Sequence, residues 1–227
     1  MGSDKLFQKR KARGREALKK RHHRRLPYPK VLIVCEGEKT EPNYFNELRD
    51  HYRLEAANVL VSGNCGSDPM SVYLAANDKY EIHENAGDAF DKVYCVIDRD
   101  SHDKVNYQRA IDAINRAKPK GVWHAVISVP CFEYWILLHF DYTTKPFMAA
   151  GARSRCQQLI RDLQKHLPNY SKGRTGLFKQ LLGNLDTACA NARNAAKHSN
   201  TSGTDNPTTS VHVLVEYLQT LARKKGK

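Results

Sequence analysis

Short apolar runs alternate with amphipathic stretches between residues 30 and 130 of the chain. Four apolar runs are too short for an ordinary helix and predict buried strands: 30–35, 59–61, 93–97 and 122–129. Between them, apolar residues recur at helical spacing, which predicts helices over 40–54, after Asp68 and over 106–117. Strands and helices that alternate in this way form a mostly parallel sheet with right-handed crossovers. We therefore predict an α/β fold.

The pattern becomes helical beyond Pro130. The spacing predicts helices over 132–140, 154–166, 175–198 and 209–222, with a Ser/Gly/Asn/Pro-rich loop at 199–207. The Leu-Pro-Tyr-Pro segment at 26–29 forms a stiff boundary before the first strand. We expect a basic, disordered arm at 1–27, an α/β core at 28–140 and a helical extension packed on that core at 141–227.

Acidic residues follow two of the predicted strands. Asp98 and Asp100 end the third run, and on an extended backbone their side chains point the same way. Glu36 follows the first run, and the carboxyl ends of parallel strands meet at one sheet edge, where such sheets place their ligands. Carboxylates gathered there repel one another unless a cation neutralises them, which favours a metal site. Taken singly, each aspartate could equally be a turn former or a helix N-cap.

Three further carboxylates are candidate site residues, and each could instead have a structural role. Glu41 could be a metal ligand, or could only favour the N-terminus of its helix electrostatically. Asp103 could belong to the cluster or cap the helix that follows it. Glu133 lies among apolar neighbours, so it must pair, bind a metal or shift its pKa, unless it is only an N-terminal helix charge packed by Trp135.

The net charge of +13 is unevenly distributed. Residues 1–30 contain twelve Lys and Arg against two acidic residues, which gives +10 and leaves about +3 for the rest of the chain. A solvated tail of this composition attracts polyanions through counterion release, so we expect it to contact nucleic acid or ribosomes. A compact basic loop near residue 172 could also grip phosphates, although exposed loop lysines are often inert. The predicted nucleic-acid-binding residues are Lys9, Arg10, Lys11, Arg13, Arg15, Lys19, Lys20, Arg21, Arg24, Arg25, Lys172 and Arg174.

Six cysteines lie far apart, with no Cys-x-x-Cys pair and no histidines at zinc spacing. We therefore expect neither a structural zinc site nor a disulfide framework, and we interpret Cys131 as a core residue. No stretch approaches a membrane span, and the N-terminus lacks the apolar core of a signal peptide. We expect a cytoplasmic protein without a membrane partner.

A strand that ends in Glu-Gly, followed one βαβ unit later by a strand that ends in Asp-x-Asp, resembles the Toprim domain of topoisomerases, primases and OLD-type nucleases. Four segments together resemble, more narrowly, the RloB-like family of bacterial phage-defence proteins: VCEGEKTEPNYF, VIDRDSHD, SVPCFEYWILLHF and NPTTSVHVLVEYL. The resemblance covers most of the chain after the basic arm. It implies a Toprim-like, Rossmann-like sheet.

The resemblance also implies roles for the acidic residues. Glu36 corresponds to a general acid/base or metal ligand, and Asp98 and Asp100 correspond to ligands of Mg²⁺ or Mn²⁺. Glu41 corresponds to a second acidic ligand found after Glu-Gly in OLD-type nucleases, and the resemblance favours a catalytic role for Glu133. It further implies an ATPase of the AAA class as partner.

These observations favour a metal-dependent nuclease that hydrolyses phosphodiester bonds of RNA or DNA in anti-phage defence by abortive infection. The alternative is a non-catalytic nucleic-acid or ribosome adaptor, in which the basic arm supplies the affinity and the Toprim scaffold is inert. A topoisomerase or primase is disfavoured because the sequence offers no motif for a tyrosine nucleophile or for nucleotide binding.

Overall fold

The computed structural model of the chain describes residues 29–66, 68–99 and 102–225. Asp100 and the ten basic residues predicted in the arm, Lys9 to Arg25, lie outside the described residues. In the part that is described, no helix combines the length and the apolar character needed to cross a membrane.

A five-stranded sheet forms the centre of the molecule, in the order β2-β1-β3-β4-β5. The strands are β1 (Val31–Cys35), β2 (Val59–Ser62), β3 (Lys92–Asp98), β4 (Trp123–Val129) and β5 (Thr208–Thr209). The first four are parallel, and β5 pairs antiparallel with β4. This arrangement confirms the predicted mostly parallel α/β fold.

Eight α-helices are described. They are α1 (Thr40–His51), α2 (Pro69–Asn85), α3 (Lys104–Arg116), α4 (Glu133–Leu137), α5 (Arg155–Gln164), α6 (Leu177–Leu181), α7 (Leu185–Ser202) and α8 (Val211–Lys225). Asp103 accepts hydrogen bonds from the amides of Val105 and Asn106 at 2.9 and 3.0 Å and is thus the N-cap of α3, the simpler of its two interpretations.

The sheet lies between two apolar clusters, because side chains alternate along each strand. In β1, Val31, Ile33 and Cys35 join the cluster that contains α1 and the C-terminal helices. Leu32 and Val34 join the opposite cluster, which is built on α2 and α3. All five side chains of β1 are fully buried, as a continuous apolar run in a parallel strand predicts.

Three local predictions beyond Pro130 were wrong. The helix expected over 175–198 is interrupted by a 3₁₀ turn at Leu182–Asn184, where Gly183 weakens the helical preference. Helix α7 then continues to Ser202, into the stretch predicted as a loop. The helix expected from residue 209 starts at Val211, because Thr208–Thr209 instead form β5 against β4.

A disulfide joins Cys131 to Cys156, although the sequence predicted no disulfide framework. Their 25-residue separation gives no pattern in the sequence, and it is the packing of α4 against α5 that brings them together. The bond ties the residue before Phe132 and α4 to the first turn of α5.

The strand order places a crevice between β1 and β3. The chain passes from β1 to β2 on one side and then crosses to β3 on the other, so the loops after β1 and β3 diverge. In register, Cys35 lies beside Val96, and the amide of Glu36 donates a hydrogen bond to the Val96 carbonyl at 3.2 Å. The residues that follow these two strands therefore face each other across the crevice.

Candidate metal centre

Glu36 joins the two sides of the crevice. Its Oε2 accepts a hydrogen bond from the backbone amide of Asp98 at 3.2 Å, and its Oε1 lies 3.1 Å from Nε2 of His102. The side chain of Glu36 is 14% exposed, so it is held in place yet remains reachable from solvent. His102 did not emerge from the sequence, where it follows the Asp-x-Asp segment without a recognisable ligand spacing.

Asp98 ends β3, and among the described residues only one of its two carboxylate oxygens accepts a hydrogen bond. Oδ2 accepts a hydrogen bond of 2.9 Å from the amide of Phe132, while Oδ1 is buried and has no hydrogen-bond partner among the described residues. Burial raises the pKa of Asp98 well above its usual range, and the nearby Glu41 and Glu133 carboxylates raise it further. A carboxylate in this position is costly unless a proton or a cation neutralises it.

Glu41 lies in the first turn of α1, turned into the crevice, and is only 8% exposed. Burial raises the pKa of Glu41 to about 7, despite a lowering by its own backbone amide, and Glu133 contributes to the rise. Gly37 provides the space that this carboxylate occupies, since a Cβ on Gly37 would lie 2.3 Å from Oε2 of Glu41. The Glu-Gly motif thus has a steric reason as well as a turn-forming one.

Glu133 begins α4 and is 1% exposed. Its Oε1 accepts a hydrogen bond of 2.9 Å from the hydroxyl of Tyr170 and lies 3.6 Å from Nζ of Lys172. Its Oε2 is buried without a hydrogen-bond partner in the described part of the chain. Burial, followed by the neighbouring Glu133 charge, raises the pKa of Tyr170, so this tyrosine acts as a hydrogen-bond donor at neutral pH.

The loop that carries Tyr170 and Lys172 is fastened to α1. The amide of Gly173 donates to Oγ1 of Thr40 at 2.8 Å, and Nδ2 of Asn43 donates to the Gly173 carbonyl at 3.1 Å. Glu47, one turn further along, accepts from the amides at 176 and 178. Gly173 has φ +80°, a backbone conformation that favours glycine, and a Cβ there would lie 3.0 Å from Cβ of Lys39. This fastening holds Lys172 beside the carboxylates.

Two adjoining clefts contain the acidic side chains. One, of about 320 Å³, is lined by Glu36, Glu41, Asp98 and Lys172 together with Gly37, Glu38, Asn64 and Gly66. The other, of about 330 Å³, shares Glu41 and Lys172 with the first and adds Glu133. Of the predicted site residues in the described chain, Glu36, Glu41, Asp98, Glu133 and Lys172 are thus brought together, whereas Arg174 lines neither cleft.

The donor set of this centre consists of carboxylate oxygens. Oxygen ligands suit Mg²⁺ and Mn²⁺, and Oδ1 of Asp98, which is buried without a hydrogen-bond partner among the described residues, is an acceptor that such a cation would satisfy. Burial is the main cause of the raised pKa values of both Asp98 and Glu41, and the neighbouring carboxylates add to it. The donor chemistry of these residues therefore suits a divalent cation.

Comparison with known proteins identifies one family. The family model described as RloB-like protein matches residues 31–218. No curated protein and no solved structure matches the chain.

Proposed function

Since this chain belongs to the RloB-like family, we propose that it is a nuclease that hydrolyses phosphodiester bonds of RNA or DNA with Mg²⁺ or Mn²⁺ bound at the acidic centre. One observation carries the proposal. Among the described residues, Asp98 presents a buried oxygen without a hydrogen-bond partner in the same crevice as three other carboxylates, an arrangement whose charge a divalent cation would compensate. The order of the Glu-Gly and Asp-x-Asp segments, which resembles Toprim proteins, supports the same proposal.

The described residues would have different roles in the proposed reaction, depending on their positions in the crevice. Asp98 and Glu41 would hold the cation, with Glu133 at the adjoining end of the cleft, and Asp100 would add a ligand if it lies as the sequence predicts. A bound Mg²⁺ or Mn²⁺ would supply charge stabilisation at the scissile phosphate and would acidify a bound water.

Glu36 is the best placed general base, because its carboxylate is partly exposed and oriented by two contacts. It would take the proton from the attacking water as the new phosphorus–oxygen bond forms and the bond to the leaving oxygen breaks. Lys172, whose side chain is 57% exposed beside Glu133, would bind a non-bridging phosphate oxygen.

The biological setting extends the proposal. The resemblance to RloB-like defence proteins supports a role in anti-phage defence by abortive infection, together with an AAA-class ATPase. The basic arm would supply sequence-independent affinity for the polynucleotide backbone, because twelve basic residues lie within residues 1–30. We place this activity in the cytoplasm, where its nucleic-acid substrates are found.

The test is a titration of Mg²⁺ and Mn²⁺ into the purified protein with labelled RNA and DNA pools, with and without the ATPase encoded nearby. Wild type is compared with Asp98→Ala and with Asp186→Ala, which removes an exposed carboxylate on α7. We expect metal-dependent cleavage by wild type and Asp186→Ala and none by Asp98→Ala. Full cleavage or full defence activity in a folded Asp98→Ala variant would exclude this mechanism.

The concentration of charge in the arm favours a second candidate, a non-catalytic nucleic-acid or ribosome adaptor. Asp98→Ala, compared with deletion of residues 1–25, distinguishes the two candidates. An adaptor would lose its binding and its salt dependence on deletion of the arm but would keep both in Asp98→Ala, whereas a nuclease would lose cleavage in Asp98→Ala. Binding without cleavage under all conditions, equal in wild type and Asp98→Ala, would support the adaptor.

A further inference from the structure

Two cysteines and a glutamate converge behind the acidic centre. The Sγ atoms of Cys131 and Cys156 and a carboxylate oxygen of Glu133 all lie within 4.8 Å of one another. All three residues are buried, with exposures of 1%, 3% and 1%. We propose that, when the disulfide is reduced, these three side chains form a zinc-binding site distinct in its chemistry from the all-oxygen centre.

The donor types decide which metal this site would take. Thiolate sulfurs select Zn²⁺ over Mg²⁺ or Mn²⁺, which prefer oxygen ligands. Three protein ligands leave the fourth tetrahedral position of Zn²⁺ to a water or to a group from the adjoining cleft.

The backbone spacing allows the two sulfurs to chelate. The Cα atoms of Cys131 and Cys156 are 6.0 Å apart. Tetrahedral Zn²⁺ with bonds of about 2.3 Å to sulfur needs its two sulfurs about 3.8 Å apart, which rotation of the two side chains can provide. Cys156 lies in the first turn of α5, where a helix favours the thiolate form that binds metal.

An independent observation concerns the hydrogen bonding of the Glu133 carboxylate. Oε2 of Glu133 is buried without a hydrogen-bond partner among the residues described, so this side chain has an unused ligand position.

Zinc would offset most of the charge of the site. Zn²⁺ carries two positive charges against the three negative charges of the two thiolates and the carboxylate, and Nζ of Lys172 lies 3.6 Å from Oε1 of Glu133. The metal therefore lowers the desolvation cost that two thiolates and a carboxylate alone would impose.

The disulfide and the zinc site are mutually exclusive states of the same sulfurs. Reduction by a phosphine consumes one water and gives two thiols and the phosphine oxide. Zn²⁺ then binds as the two thiol protons leave for solvent. Hydrogen peroxide, together with two protons, would take two electrons from the two thiolates and become two waters, which restores the Cys131–Cys156 bond and releases Zn²⁺.

The experiment compares the full chain in its reduced and oxidised forms. Metal-free protein is reduced with a phosphine and titrated anaerobically with Zn²⁺ against a chromophoric chelator, and with Co²⁺ while the near-ultraviolet thiolate-to-cobalt band is recorded. We expect one Zn²⁺ per chain with submicromolar affinity in the reduced protein, and at least 100-fold weaker binding in the oxidised protein. The thiolate-to-cobalt band should appear in the reduced form alone.

Substitutions of single residues test which side chains bind the metal. Cys131→Ser and Cys156→Ser should abolish the cobalt band, and Glu133→Gln should weaken Zn²⁺ binding at least 10-fold. Cys189→Ser, which changes another buried cysteine, should leave both unchanged. Equal Zn²⁺ affinity in reduced and oxidised wild type, or a reduced protein without the thiolate band, would overturn the proposal even if the serine variants did not fold. Neither readout depends on nuclease activity.

Discussion

The amide of Phe132 donates a hydrogen bond of 2.9 Å to Oδ2 of Asp98, and this contact joins the end of β3 to the start of α4. It fixes the Asp98 carboxyl group while leaving Oδ1 buried and unpartnered among the described residues. Because Glu133 follows Phe132 directly, the same contact sets the position of a second carboxylate. The centre is thus organised by a backbone amide as much as by its acids.

Asp98→Asn should stabilise the protein in the absence of divalent metal. Asparagine keeps an oxygen for the Phe132 amide and removes an acid whose pKa burial raises well above its usual range. We expect the free energy of unfolding at pH 7.5 in chelator to rise, measured by urea denaturation. Asp186→Asn is the control and should change little. A less stable Asp98→Asn protein in chelator would contradict the burial argument.

Added Mg²⁺ or Mn²⁺ should make the wild type more stable than Asp98→Asn. Mg²⁺ or Mn²⁺ that binds only the folded wild type raises its stability by mass action, whereas Asp98→Asn should gain much less.

The stability of the wild type should fall as pH rises from about 4.5 to about 7. Burial raises the pKa of Glu41 to about 7, so in this window the folded state binds a proton that the unfolded state has released. The free energy of unfolding should decrease by about 3 kcal/mol across the window because of this group alone. Urea denaturation at pH 5 and pH 8 measures the change, and Glu41→Gln should remove this part of it. Parallel pH profiles of the two proteins would show that Glu41 does not titrate as expected.

Gly37→Ala should weaken metal binding at the acidic centre, although it replaces no acidic residue. The new Cβ would lie 2.3 Å from Oε2 of Glu41, so that carboxylate must move out of its position beside the crevice. We expect Mn²⁺ affinity, measured by calorimetry, to fall at least 10-fold. Gly183→Ala is the matched control, because a Cβ on Gly183 would meet no atom of the described residues within 4 Å. It should leave Mn²⁺ affinity within about twofold. Equal Mn²⁺ affinities in the two variants would argue against a site at Glu41.

Tyr170→Phe should cost about 1–3 kcal/mol of unfolding free energy at pH 7.5. The substitution removes the hydroxyl that donates to Oε1 of the buried Glu133 carboxylate and leaves that oxygen undersatisfied. Tyr142→Phe, at a position 43% exposed, provides the comparison and should change stability by less than about 0.5 kcal/mol. If both variants lost the same stability in thermal or urea unfolding, the Tyr170 hydrogen bond would be unimportant.

The parts of the fold and site that the sequence predicts are those set by local pattern. Apolar runs ending in Glu36 and Asp98 specify both the parallel sheet and its acidic edge, because strand direction alone places those residues. Glu133 was identifiable because a carboxylate among apolar neighbours requires a partner.

The rest depends on contacts between distant segments. Tyr170 lies 37 residues from Glu133, and its hydroxyl reaches that carboxylate only because its loop is fastened to α1. The Cys131–Cys156 bond and the two-residue β5 likewise arise from packing of helices and strands that carries no periodic signal in the sequence. No motif short enough to read locally contains these pairs.

The fastening of the 170–178 loop to α1 has a consequence for protein synthesis. A ribosome makes Glu36, Asp98 and Glu133 well before it makes Lys172 and the amides that bind Thr40 and Glu47. A nascent chain therefore exposes its acidic edge without the loop that completes the two clefts. The two clefts reach their full lining only after Lys172 and Gly173 have been translated and the loop has docked on α1.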